Sequence, residues 1–120
     1  MHEYSLFLSL LKTIEEHIKP YGKTKISKVI LSVGIYSGVD LEYLDEVIRN
    51  FKVGTLLEEA EIIFEKEPLR VQCFQCGKIG EPTISSACCP FCGSFDTKII
   101  GGLDFILKTL EIEDEEGSPN

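Results

Sequence analysis

Two short cysteine units limit what this chain can fold into. Cys73-Phe74-Gln75-Cys76-Gly77 is answered by Cys89-Pro90-Phe91-Cys92-Gly93, with twelve residues between Cys76 and Cys89. Each C-x-x-C pair sets two sulfurs on one tight turn, and the glycine after it lets backbone N–H groups approach them. Two such turns facing each other supply the tetrahedral sulfur cage that Zn²⁺ prefers. Four thiolates close the coordination shell and leave no position for water or substrate. A metal at Cys73, Cys76, Cys89 and Cys92 is therefore expected to be structural zinc.

Iron is the chemical competitor. Rubredoxin-like iron centres are written with the same C-x-x-C-G and C-P-x-C-G units, and four sulfurs alone do not separate the two metals. An electron carrier with iron at the four cysteines is accordingly the alternative function. The interval is short for such a centre, and the segment lacks its aromatic core. Cys88, directly before Cys89, opens an alternative C-x₃-C pair with Cys92. It is expected to be a spare thiol, with ligand exchange against Cys89 as the other option. Redox use of either C-x-x-C is the weaker reading, because such motifs open a helix after a strand.

The remaining chain supplies an ordinary core. Residues 4–19 repeat Phe7, Leu10, Leu11, Ile14 and Ile18 at three- and four-residue steps, which predicts a helix ended by Pro20 and Gly22. His17, in its last turn, reads as structural. Residues 26–34 alternate as a strand, with Val29, Leu31 and Val33 on one face. Asp40 caps a second helix that runs to Phe51, with Leu41, Leu44, Ile48 and Phe51 as its apolar face. After Gly54 and a polar stretch comes a strand from Glu61 to Lys66, and residues 103–112 resume strand character. Between them, residues 69–100 lose aliphatic periodicity and hold all five cysteines. A segment of that size buries too little to fold alone, so the metal replaces a core. Gly101-Gly102 reads as the hinge back.

The expected fold is α/β: a small three-stranded sheet packed with two helices, with a four-cysteine zinc-ribbon domain inserted before the last strand. The boundaries are 1–68 and 101–112 for the α/β domain, 69–100 for the zinc-binding domain, and 113–120 for a disordered acidic tail.

Charge and motifs narrow the function. The net charge of −8 disfavours phosphate backbones, and so nucleic acid. No apolar run is long enough to span a membrane, and no signal peptide is recognisable. Cysteines in C-x-x-C form then suggest a reducing cytoplasm. No nucleotide-binding motif or nucleophile–base set points to an enzyme.

The start carries a quieter signal. Met1-His2-Glu3 places an imidazole one peptide bond from an amine. The Met1 amine, the His2 amide and the His2 ring nitrogen can chelate one metal in a plane, with the Glu3 amide or carboxylate as fourth donor. Planar nitrogen donors favour Ni²⁺ or Cu²⁺ over Zn²⁺.

Met1-His2-Glu3-Tyr4-Ser5-Leu6, Val33-Gly34-Ile35-Tyr36-Ser37-Gly38-Val39-Asp40, Gly54-Thr55 ahead of Ala60-Glu61-Ile62, and both cysteine units with Gly93-Ser94-Phe95-Asp96 together resemble the HypA/HybF family. The resemblance reaches from the start to the acidic tail. It implies a nickel metallochaperone of [NiFe]-hydrogenase maturation, of a kind that in some members also serves urease. A HypB-like GTPase and the hydrogenase large subunit are then the expected partners, with urease maturation proteins as a further route. It implies His2 as the essential nickel ligand, with the Met1 amine and the amides of His2 and Glu3 completing the plane. It places the Glu3 side chain and Asp40 near that site, and Cys73, Cys76, Cys89 and Cys92 on zinc. Two departures stand out: Leu41 where family members often have proline, and a second helix without the usual aromatic-rich run.

Overall fold

The computed structural model describes residues 2–22, 24–82 and 88–114. The elements are α1 (Glu3–Ile18), a 3₁₀ turn (Lys19–Tyr21), β1 (Thr24–Gly34), α2 (Leu41–Phe51), β2 (Glu61–Glu67), β3 (Arg70–Cys73), β4 (Ile79–Gly80), β5 (Thr97–Gly101) and β6 (Phe105–Asp114). Two three-stranded sheets form, one ordered β2-β1-β6 and the other β4-β3-β5. The architecture is mixed α/β, as the sequence predicts.

The chain divides into two compact units. The first comprises the residues up to Leu31, Val39–Phe64 and those from Ile106 onward; the second comprises Ser32–Gly38 and Glu65–Phe105. The segment 69–100, expected as the zinc-binding domain, lies within the second unit, together with the end of β1.

In the first unit α1 buries Phe7, Leu10, Ile14 and Ile18, and α2 buries Leu44, Val47 and Ile48. Ile26, Val29 and Leu31 of β1 are buried as well. Full burial of one such aliphatic side chain stabilises by about 1.5–3 kcal/mol. The face assigned to α2 needs correcting: Phe51 is 51% exposed, and the buried side chain beside Ile48 is Val47. Asp40 is the N-cap, its carboxylate accepting from the Tyr43 N–H at 3.1 Å.

The stretch after Gly54 is not simply polar, since Leu57 and Ala60 are buried. Thr55 explains their direction. Its hydroxyl donates to the Lys52 carbonyl at 2.6 Å and accepts from the Leu57 N–H at 3.1 Å. This local turn satisfies loop backbone that would otherwise oppose Leu57 turning inward.

The second unit holds a sheet that hydrophobic periodicity did not announce. β3 is central, with Val71 opposite Gly80 on one side and Ile99 on the other. Arg70 pairs with Gly101 and Val71 with Ile99, so Ile100 is the extra residue of a bulge. β3 alternates, with Val71 and Cys73 buried beside Arg70 and Gln72, but four residues are too few to mark a strand, and β4 and β5 bury none. Gly101 belongs to β5, and β6 starts later than expected, at Phe105. Glu113 and Asp114 continue β6, while the rest of the acidic tail lies outside the described residues.

Gly101-Gly102 is a packed crossing rather than a hinge. The Gly102 N–H donates to Glu67 Oε1 at 3.2 Å, and its carbonyl accepts from the Tyr36 N–H at 2.8 Å. The Gly34 N–H reaches the Asp104 carbonyl at 2.7 Å, and the Ile35 N–H reaches the Glu67 carbonyl at 2.8 Å. Gly102 has φ +98°, and a Cβ there would meet Leu69 Cα at 2.7 Å. Backbone approaches backbone here because no side chain intervenes.

Gly102→Ala combines a left-handed backbone penalty with a clash against main chain, so it should cost about 2–4 kcal/mol. Gly22→Ala, at φ +74° with nothing within 4 Å of the added Cβ, should cost only the backbone share. Urea unfolding of both variants beside the parent measures the difference.

Candidate metal centres

Local backbone geometry builds the cysteine site. In the first turn the Cys73 N–H reaches the Lys78 carbonyl at 2.9 Å, and the Gly77 N–H returns to the Cys73 carbonyl at 3.0 Å. The second turn repeats this, Cys89 N–H to Ser94 carbonyl at 2.8 Å and Gly93 N–H to Cys89 carbonyl at 2.9 Å. Gly77 and Gly93 share φ +77°, a conformation that L side chains rarely adopt. The matching geometry makes the two turns a pair of like knuckles.

Each knuckle aims N–H groups at its first sulfur. Cys73 Sγ accepts from the N–H groups of Gln75 and Cys76 at 3.3 and 3.4 Å, and Cys89 Sγ from the Phe91 N–H at 3.3 Å. Between knuckles, Cys73 Sγ lies 3.6 Å from Cys92 Sγ and Cys76 Sγ 3.7 Å from Cys89 Sγ. All four sulfurs fall within 4.8 Å of one another. A tetrahedral zinc with bonds of 2.3 Å needs sulfur–sulfur edges of about 3.8 Å, so the donor set fits the ion. Cys88 is half-buried and is not one of the four.

The thiols hold their protons unevenly. Burial pushes Cys89 up, but the N–H groups of Cys92 and Phe91 and the thiols of Cys76 and Cys92 outweigh it and bring it to about 6. The Cys76 N–H does most to lower Cys73, against a smaller effect of burial. For Cys92 the Ser94 N–H pulls down, yet the Cys73 thiol, burial and the thiols of Cys89 and Cys76 raise it to about 11. Sulfurs this close resist ionising together, and a bound dication removes that conflict.

The second knuckle also rests on β4. A Cβ on Gly80 would meet Pro90 Cγ at 2.6 Å and Phe91 Cε2 at 2.7 Å, so glycine is what lets this turn seat there. The Lys78 ammonium lies 5.1 Å from the centre of the Phe91 ring.

At the other end of the chain, Met1 lies outside the described residues. His2 is exposed and is the N-cap of α1, with no side-chain capping bond; its carbonyl accepts from the Leu6 N–H at 2.9 Å. The first N–H groups of a helix have no intrahelical acceptor. The amides of His2 and Glu3 can therefore be given to a metal without breaking the helix.

Glu3 is the surprise. Stepping back four residues along the apolar stripe from Phe7 reaches Glu3, and it is only 3% exposed. Its Oε2 accepts from the Asp40 N–H at 3.0 Å, where the positive end of α2 favours a carboxylate. Glu3 and Asp40 are thus brought together, but through the Glu3 carboxylate and the Asp40 backbone. Next to Glu3, the Tyr4 ring packs on Phe51 at 5.1 Å. Two consecutive residues of α1 therefore hold the first and last residues of the α2 segment, which explains why Phe51 leaves the core. The other histidine is occupied, with its Nδ1–H donating to the Thr13 carbonyl at 2.8 Å.

A small α/β protein with a closed four-cysteine metal site is the class that fold and geometry define. The family model described as hydrogenase/urease nickel incorporation, metallochaperone, HypA, matches residues 1–112. This chain belongs to that family. A hydrogenase maturation factor HypA from Aquifex aeolicus is 42% identical over 113 residues, covering 94% of this chain and 98% of the relative. Its counterpart from Shewanella sp. (strain MR-7) is 34% identical, covering 97% and 98%. The solution structure of the Ni metallochaperone HypA from Helicobacter pylori superposes with a TM-score of 0.67 at 28% identity, covering 96% of this chain and 100% of that one. A second HypA solution structure gives 0.71 at 27% identity, covering 96% and 98%.

Two outcomes are expected. The purified protein should be colourless and hold about one zinc per chain by elemental analysis, with Cys76→Ser lowering that content. Glu3→Ala should destabilise by about 1–3 kcal/mol, because it opens a gap and strands the Asp40 N–H; Glu3→Gln, which keeps an acceptor oxygen, should cost less. Thermal unfolding of the two variants tests the anchor.

Proposed function

We propose that this chain binds Ni²⁺ at its N-terminus and delivers it during [NiFe]-hydrogenase maturation, while a structural zinc stays in the cysteine cage. One observation carries the reading: of the two histidines, His17 is engaged with Thr13 and His2 stands exposed at the head of α1. The Met1 amine, the His2 amide and ring, and the Glu3 amide form a nitrogen set suited to planar nickel.

The two donor sets differ in kind. Four sulfurs enclose their metal on all sides, whereas a chain terminus leaves its metal open to an incoming ligand. A donor must release its cargo, so the open end is the one suited to transfer. The Glu3 and Asp40 side chains act by position, the first anchoring the start of α1 and the second capping α2.

The partners that follow are a HypB-like GTPase and the hydrogenase large subunit, in the cytoplasm. The family description also names urease nickel incorporation, which supports urease maturation proteins as a second destination.

Replacing His2 with Ala should abolish stoichiometric Ni²⁺ binding by calorimetry while zinc content and circular dichroism stay unchanged. Undiminished nickel binding in that variant would sink the proposal.

A further inference from the structure

We propose that the cysteine cage is also an oxidation switch, in which metal loss is coupled to disulfides formed between the knuckles, Cys73 with Cys92 and Cys76 with Cys89. The sulfur–sulfur contacts at 3.6 and 3.7 Å run between the knuckles along these two pairs. Each pair joins one exposed thiol, Cys92 or Cys76, to one buried thiol, Cys73 or Cys89. The exposed member is open to an oxidant, and the buried member is held beside it to resolve the product.

The N–H bonds to Cys73 and Cys89 come from the backbone of their own turns. The sulfurs within each unit also face one another, Cys73 with Cys76 and Cys89 with Cys92, so a bridge within a unit is the competing product. A bridge between knuckles leaves both turns as they are. It also closes the longer chain segment: the pairs lie 19 and 13 residues apart, against three within a unit. The longer closure constrains the unfolded chain more.

The step balances with hydrogen peroxide as oxidant. The Cys92 thiolate attacks one peroxide oxygen; an S–O bond forms, the O–O bond breaks, and hydroxide leaves. The Cys73 thiolate then attacks the Cys92 sulfenic acid; an S–S bond forms, the S–O bond breaks, and a second hydroxide leaves, each hydroxide taking a proton from solvent. Each disulfide thus sends two electrons to one peroxide. Cys76 and Cys89 repeat the step. With its four sulfurs consumed the site no longer holds zinc, yet the two turns remain tied together, so reduction can restore it.

The test uses the zinc-loaded full chain treated with hydrogen peroxide, with zinc release read by a chromogenic chelator and bridges mapped by mass spectrometry. Trypsin cuts after Arg70, Lys78 and Lys98, leaving Cys73 and Cys76 on one peptide and Cys88, Cys89 and Cys92 on the next. The expected result is loss of about one zinc per chain with these two peptides joined through the proposed pairs, reversed by dithiothreitol plus Zn²⁺. Zinc retained under excess peroxide, separate peptides with internal bridges, Cys73 joined to Cys89, a bridge to Cys88, or failure to reload zinc would each overturn it.

Discussion

Four sulfurs on two tight turns do for the second unit what a hydrophobic core does elsewhere. Its deeply buried side chains are few: Val33, Val71, Cys73 and Cys89, with Leu69 at the margin. Two of these, Cys73 and Cys89, belong to the four-cysteine cluster. The first unit instead buries aliphatic side chains from both helices, β1 and the loop before β2. One chain therefore uses two sources of cohesion. Apolar area removed from water holds the first unit, and the second brings four sulfurs together on pre-shaped turns, a set that a bound metal would tie.

That division bears on metal chemistry. A site that holds a fold together has to be closed, and the knuckle geometry suits that: glycines at φ +77° shape the turns, N–H groups point at sulfur, and the four sulfurs lie within 4.8 Å of one another. A site that gives its metal away has to be open and still placed reproducibly. For the nickel site proposed at the head of α1, the exposed His2 would supply the openness, and the burial of Glu3 against Asp40 would supply the placement. A carboxylate on an apolar stripe would normally be costly, and the N–H at the head of α2 offsets that cost.

Much of this was legible in the residues. The stripe of α1, the Asp40 cap and the paired cysteine turns follow from spacing, because helical period, capping chemistry and C-x-x-C turns are local rules. What was not legible came from contacts distant in sequence. Phe51 matches the helical period of the α2 core but is drawn outward to Tyr4. Gly101-Gly102 looks like a flexible joint until Leu69 and Tyr36 pack against it. In the second sheet only the four residues of β3 alternate, too short a run to read as a strand, and β4 and β5 bury none. The signal for Glu3 was present in its four-residue step from Phe7, although charge argues against looking for it there.

By itself, then, the sequence determined the two helices and the strands of the first sheet, the α/β class, the paired cysteine units and the nitrogen-rich start, all set by chemistry within a few neighbouring residues. Only the tertiary structure decided that the knuckles meet with their sulfurs at metal-binding distance, that the glycine pair is a crossing, and that Glu3 is an anchor. Those outcomes depend on which distant backbone N–H or side chain arrives alongside, and hydrogen bonds as short-ranged as these exist only once the chain has brought their partners together.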